Sequence, residues 1–238
     1  VGLCQADRVP DSPHALDPRR LVRVSMSVLL RIREDERFVL FHAASRPGSF
    51  GPPGGVVKYF PPAAAVLDAL GFQEERPRHD GDRDTKRADL RGFLPTTCLR
   101  DFLHWFDSGA YRETAEECLE RELVEELTEV DLRRLVPGVT SLDHRYVRTV
   151  SEGPHEVPGK PYRQYRRFVV HDAVAANATA LRLVRELVAA GDDPGQSLVV
   201  TTGRDSIVHG RHGPVLVAPQ SALLVGARRI LPDVPPMR

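Results

Sequence analysis

Lysine is nearly absent from this chain. Its 238 residues include only Lys58, Lys86 and Lys160, against thirty arginines. That bias makes an arginine, taken alone, a poor marker of function. Cysteine is also scarce. Cys4, Cys98 and Cys118 are odd in number and widely spaced, which excludes a disulfide framework and a paired zinc knuckle. A reduced, cytoplasmic protein fits that usage. Net charge is zero, so no global field points to nucleic acid or to a membrane surface. No apolar run reaches the roughly 20 residues of a membrane helix. The polar N-terminus lacks the apolar core of a signal peptide. P-loop, HExxH and GxSxG motifs are missing too.

What is present is ordinary globular material, 41% hydrophobic and 28% charged. The length suits one sizeable core or two small domains. Residues 1–20 read as a polar tail. LVRVSMSVLLRI (21–32) and FVLFHA (38–43) read as strands joined in a hairpin by the REDER turn. RPGSFGPPGGVVKYF (46–60) is a Gly/Pro loop entering a short strand. Residues 61–73 and 96–106 read as helices, the second with Leu99, Phe102, Leu103 and Phe106 on one side. The polar run 74–88 reads as a surface loop. Strands are expected at 143–150 and 162–173, joined by the loop SEGPHEVPGKP, and a helix at 178–190. Short apolar segments at SLVVTT, SIVHG, PVLVAP and SALLVG complete the chain. Without regular alternation, an α+β or mixed-sheet α/β layer fold is expected rather than a doubly wound one.

The stretch RETAEECLERELVEEL (112–127) holds seven glutamates and two arginines. At about 100° per residue, Ala115, Cys118, Leu119, Leu123 and Leu127 form one apolar stripe. Glu116, Glu117 and Glu120 fall mostly off it. Glu122 and Glu126 fall within it, four apart, with Glu125 on the flank. Like charges at that spacing repel, and half-buried carboxylates lose solvation. A nearby cation would offset both costs. Arg121 reaches Glu125, which leaves Glu122 and Glu126 for a hard divalent ion, such as Mg²⁺, that wants oxygen ligands. The plainer alternative is a solvated acidic helix in another register.

Arg121-Glu122-Leu123-Val124-Glu125-Glu126 reads as REUxEE, with U aliphatic. It resembles the core of the Nudix box, in which a glycine precedes the first Glu by six positions and that Glu precedes the Arg by eight. Glu113 and Thr114 match the first Glu and its neighbour. The glycine position holds Asp107, and Thr128 stands where the box has its last glycine. Pro53-Gly54-Gly55 resembles the turn that opens a box, and 57 residues separate Gly55 from Glu113. The motif therefore reads as split by an insertion at about 61–108. Pro53-Gly54-Gly55 with Lys58, Asp89-Leu90-Arg91 and WFDSGAYRE (105–113) resemble the SMODS-associated Nudix domains of bacterial defence loci.

The resemblance implies a single domain over 21–238, an α/β/α sandwich with a mixed sheet. It implies Mg²⁺- or Mn²⁺-dependent hydrolysis of a nucleoside diphosphate-linked substrate in antiviral defence. Glu122, Glu125 and Glu126 would be ligands or base, the Gly55 carbonyl a further ligand. Arg121 would orient a box glutamate and Glu113 would support the loop. Gly54, Gly55, Lys58, Arg91 and Trp105 are the candidates for contacting substrate, with the insertion as a wall or lid. The rival is a catalytically weak domain that senses a nucleotide. The expected partner is a nucleotide-derived small molecule, without stable DNA or RNA binding and without a membrane; a homodimer is the assembly left open. His209 and His212 look like a ligand pair without a third member. Cys118 on the stripe reads as core. The RQYRR segment (163–167) makes only a thin basic patch, because alternate strand residues face opposite sides.

Overall fold

The computed structural model describes residues 21–44, 46–75 and 87–230. The expected tail and most of the expected polar loop lie outside them. In chain order the strands begin with β1 (Leu21–Arg31), β2 (Arg33–Glu34), β3 (Arg37–His42), β4 (Ser49–Gly51), β5 (Gly54–Val56) and β6 (Lys58–Tyr59). Helix α1 (Ala64–Ala69) leads to β7 (Gln73–Glu74), β8 (Ala88–Asp89), β9 (Arg91–Pro95) and α2 (Leu99–Ser108). Then come α3 (Ala115–Glu129), β10 (Asp143–Glu156), β11 (Arg163–Val174) and α4 (Ala178–Asp192). The chain continues through β12 (Val199–Gly203), α5 (Arg204–His209), β13 (Arg211–His212), β14 (Val215–Val217) and α6 (Ala222–Val225). The fold is mixed α/β, as expected. Among the described residues no helix is long and apolar enough to cross a membrane.

The described chain divides into two compact units. The first holds residues up to Ser27, Val56–Cys118 and Ser151–Phe168; the second holds Val28–Gly55, Leu119–Val150 and the chain from Val169 onward.

One sheet has the strand order β10-β11-β1-β9-β7, with β5 added to β1. β9 runs antiparallel to β1, with Val22 opposite Leu94 and Val24 opposite Gly92. β1 alternates: Val22, Val24 and Met26 are buried on one side, while Arg23 and Ser27 are half-buried and Ser25 buried on the other. Helix α2 keeps the predicted stripe. Leu99, Phe102 and Phe106 are buried, and Gly109, at φ 74°, ends the helix in a left-handed cap. The Phe102 ring stacks on Phe72 at 5.9 Å, and Phe72 meets Tyr59 edge-on at 6.3 Å. The apolar face of this late segment of the insertion thus packs on an earlier one, Phe72.

The second unit contains a sheet of order β12-β3-β4-β14-β13, with β2 added to β3. β14 is parallel to β4, with Leu216 beside Ser49; the other pairs are antiparallel, as at Val199 and Phe41. Helix α4 buries Leu183, Val184, Leu187 and Val188, and Asn177 caps it by accepting the Ala180 N–H at 2.9 Å. The Arg31 guanidinium grips Asp172 through both carboxyl oxygens and donates to the Leu224 carbonyl at 3.0 Å. Burial pushes the Asp172 carboxyl up, but hydrogen bonds from Arg31 and Arg145 carry it below its usual range.

Three local expectations change. The hairpin is confined to β2 against β3, with Arg33 opposite Phe38, while β1 joins the other sheet. The helix expected over 61–73 is a 3₁₀ turn at Pro61–Ala63 followed by the short α1. Half of the loop expected over 151–161 is strand, since β10 runs to Glu156.

The Phe102 side chain has no solvent exposure. Phe102→Ala should cost about 3–5 kcal/mol in urea unfolding. A cost under about 1 kcal/mol would show that the insertion adds nothing to the core.

Candidate functional site

Helix α3 carries the acidic stripe, and its two ends explain where it lies. At the start, Thr114 and Glu117 form a capping box: the Glu117 N–H donates to Thr114 Oγ1 at 3.2 Å, and the Thr114 N–H to Glu117 Oε2 at 2.8 Å. Glu117 thus has a structural task. At the far end the expected glycine is replaced by Thr128, whose hydroxyl donates to the Val124 carbonyl at 2.8 Å. The helix runs past it to Glu129. The left-handed exit comes at Asp131, with φ 61°. There the Leu132 N–H donates to the Leu127 carbonyl at 2.8 Å and the Asp131 N–H to Thr128 at 3.4 Å, the Schellman pattern. Aspartate tolerates that conformation better than most residues. Cys118, Leu119, Leu123 and Leu127 are buried along the stripe, as expected.

Glu122 and Glu126 both reach the Gly54–Gly55 turn. The Gly54 N–H donates to Glu126 Oε1 at 3.3 Å. A Cβ on Gly55 would lie 1.9 Å from Glu122 Oε1, so any side chain there would push that carboxylate from its place. Gly54 has φ 138°, and a Cβ there would strike the Val28 carbonyl at 2.2 Å. Gly54 is therefore required by its backbone, and Gly55 keeps Glu122 where it stands. Arg121 donates to Glu122 Oε1 at 2.7 Å and stands 3.6 Å from Glu125. Glu125 is about half exposed, at 51%. Glu126 differs from both: its Oε2 is buried and has no hydrogen-bond partner among the described residues. Burial first, then the charge of Glu122, holds its carboxyl well above the usual range; Glu129 and Glu125 add to the rise, and the Gly54 N–H opposes it. Among the described residues no three His, Cys, Asp or Glu side chains form a ready-made metal cluster. The turn gathers Glu122 and Glu126, and Glu125 stays on the flank with Arg121.

Glu113, Lys58, Arg91 and Trp105 belong to the first unit. Glu113 is fully buried. Its Oε2 accepts the Lys58 N–H at 2.9 Å, and its own N–H donates to the Lys58 carbonyl at 2.9 Å. Beside it the Phe60 N–H donates to Tyr111 at 2.8 Å, and Tyr59 bridges Arg112. Lys58–Phe60 and Tyr111–Glu113 thus close the split motif across the base of the insertion. Arg91 sits on β9 opposite Ser25 and is half-buried. Trp105 lies 5.8 Å from Phe102, with its Nε1 buried and unpartnered among the described residues. Asp107, at the expected glycine position, is exposed and pairs with Arg167.

Sequence reasoning missed Arg87, whose Nη1 donates to Glu113 Oε1 at 3.0 Å. It stands at the end of a polar run that carries no periodic signal. His209 Nδ1 lies 2.7 Å from the Asp205 carbonyl, and His212 Nδ1 lies 3.0 Å from Thr202 Oγ1. Local bonds account for both.

The family model of the SMODS-associated NUDIX domain matches residues 21–225. No curated protein matches the chain. Among solved structures it is similar to the E. coli ORF135 protein in solution, at 13% identity and TM-score 0.34. That match covers 87% of this chain and 89% of the other.

Glu126 generates a pH prediction. Its folded pKa is raised above its unfolded value. The stability it contributes is therefore present below the unfolded pKa and is lost as pH rises through the folded one. With divalent ions chelated, Glu126→Gln should match the parent in acid, within the ordinary glutamate range, and exceed it increasingly as pH rises. Chemical denaturation across pH reads this directly. Parallel pH curves for the two proteins would contradict the assignment.

Proposed function

The chain belongs to the SMODS-associated NUDIX domain family, and from that premise we propose a Nudix-type hydrolase that cleaves a phosphoanhydride in a nucleoside diphosphate-linked substrate. The observation that carries the proposal is the buried, unpartnered Glu126 Oε2 beside Glu122. A carboxylate in that position needs a cation to ionise. The donor set is all oxygen, which suits Mg²⁺ or Mn²⁺. Glu122, Glu126 and the Gly55 carbonyl would hold the ion, with Glu125 as a further ligand or the base. When bound, such an ion neutralises the pyrophosphate and activates water.

The protein's own share is positional. Arg121 holds Glu122 and stands near Glu125, so it orients two of the three acids. The turn glycines let the backbone approach the carboxylates. Lys58, Arg91 and Trp105 are the proposed contacts to phosphate and base. Zero net charge favours a small nucleotide-derived ligand over a nucleic acid. A cytoplasmic role in bacterial nucleotide-signalling defence accords with the family. A second reading, a nucleotide sensor with little turnover, draws on Arg121: it already engages Glu122, and no ready-made cluster stands among the described residues.

The test is a panel of nucleoside diphosphate derivatives, dinucleoside polyphosphates and cyclic oligonucleotides with Mg²⁺ or Mn²⁺. Turnover supports the hydrolase, and tight binding without products supports the sensor. For the hydrolase, Glu126→Gln should lower turnover beyond the ~10–100-fold typical of outer-shell partners. Unchanged turnover would remove α3 from the chemistry.

A further inference from the structure

The insertion supplies a cation to the box's first glutamate. Glu113 has a fully buried side chain, and the Arg87 side chain is 36% exposed. Their contact, Nη1 to Oε1 at 3.0 Å, joins residues 26 apart. Arg87 is held from its other side as well. Its guanidinium lies 5.2 Å from the centre of the Phe60 ring, a cation–π arrangement. It immediately precedes β8, which pairs with β6 and sets Lys58 opposite Asp89. Arg87, Phe60, Lys58 and Glu113 thus form one cluster within the first unit.

A carboxylate taken fully out of water is costly unless paired and hydrogen-bonded. Here the insertion contributes Arg87 to that pairing. Glu113 uses its other oxygen on the Lys58 N–H. Lys58 lies three residues after Gly55, and Glu113 lies two before the first residue of α3. Along the chain, one clasp therefore governs the segment leaving the glycine turn and the segment entering the acidic helix.

We infer that Arg87 is a positioning residue of the proposed active site, acting through Glu113 to fix Lys58 and the start of α3. On this inference, which rests on the hydrolase reading, the insertion is a working part of the split motif and not only a cover.

The test uses the full chain with Arg87→Met and Arg87→Lys. Amide hydrogen exchange is read at Lys58 and along α4, and kcat and KM are read on whichever nucleotide the parent cleaves. Arg87→Met should raise exchange at Lys58 about tenfold or more while α4 keeps its protection. It should lower kcat with KM little changed, and Arg87→Lys should restore both. If Arg87→Met does not fold, Arg87→Gln, which keeps polarity without charge, is read in the same way. Unchanged exchange at Lys58 overturns the inference. An effect on KM without any change in exchange at Lys58 overturns it too, because Arg87 would then act on substrate directly. A parent without turnover on any nucleotide sinks the hydrolase reading, and the exchange result alone then decides the clasp.

Discussion

A carboxyl group with one oxygen cut off from solvent stands at the centre of this structure. Glu126 lies against the Gly54 N–H, with one oxygen buried and Glu122 nearby. Two negative charges at that spacing in a desolvated place are unfavourable without a compensating cation. Much of the local architecture follows from holding them there. The helix must present both acids within an otherwise apolar stripe. The facing turn needs glycine at 54, where a side chain would strike the Val28 backbone, and at 55 a side chain would displace Glu122. Arg121 must remain close enough to steady Glu122 without reaching Glu126.

The helix that carries the acids is fixed at both ends by devices that do not depend on the site. Thr114 and Glu117 satisfy the first turn, and the Asp131 exit satisfies the last carbonyls. Substituting Thr128 for the usual glycine displaces the exit to Asp131 and leaves the stripe in register. The long excursion between the two halves of the motif is likewise accommodated by ordinary means. A short backbone ladder, Lys58–Phe60 against Tyr111–Glu113, closes its base, and aromatic packing of Tyr59, Phe72 and Phe102 fills its interior.

The parts legible in the sequence were those with strong periodicity. β1, α2, α3 and α4 lie close to where their apolar patterns put them, and the placement of Glu122 and Glu126 followed from the same projection. The misses have distinct causes. SIVHG carries no assignment, being too short for periodicity to separate helix from strand, and the left-handed Gly210 closes it as a helix. Gly153 and Pro154 marked a loop, yet β10 ends the strand order, where a missing N–H costs no ladder bond. The Arg87–Glu113 and Arg31–Asp172 pairs join residues 26 and 141 apart, and no local pattern announces such contacts.

Proton release on metal binding tests the central claim most directly. If Glu126 carries a proton until a divalent ion replaces it, binding must displace that proton. Calorimetric titration of the chain with Mn²⁺, in buffers of different ionisation enthalpy, counts the protons released. The account predicts release approaching about one proton per ion below the raised pKa of Glu126 and falling away as pH rises through it. Binding with no proton release throughout that range, or no Mn²⁺ binding at all, would contradict it.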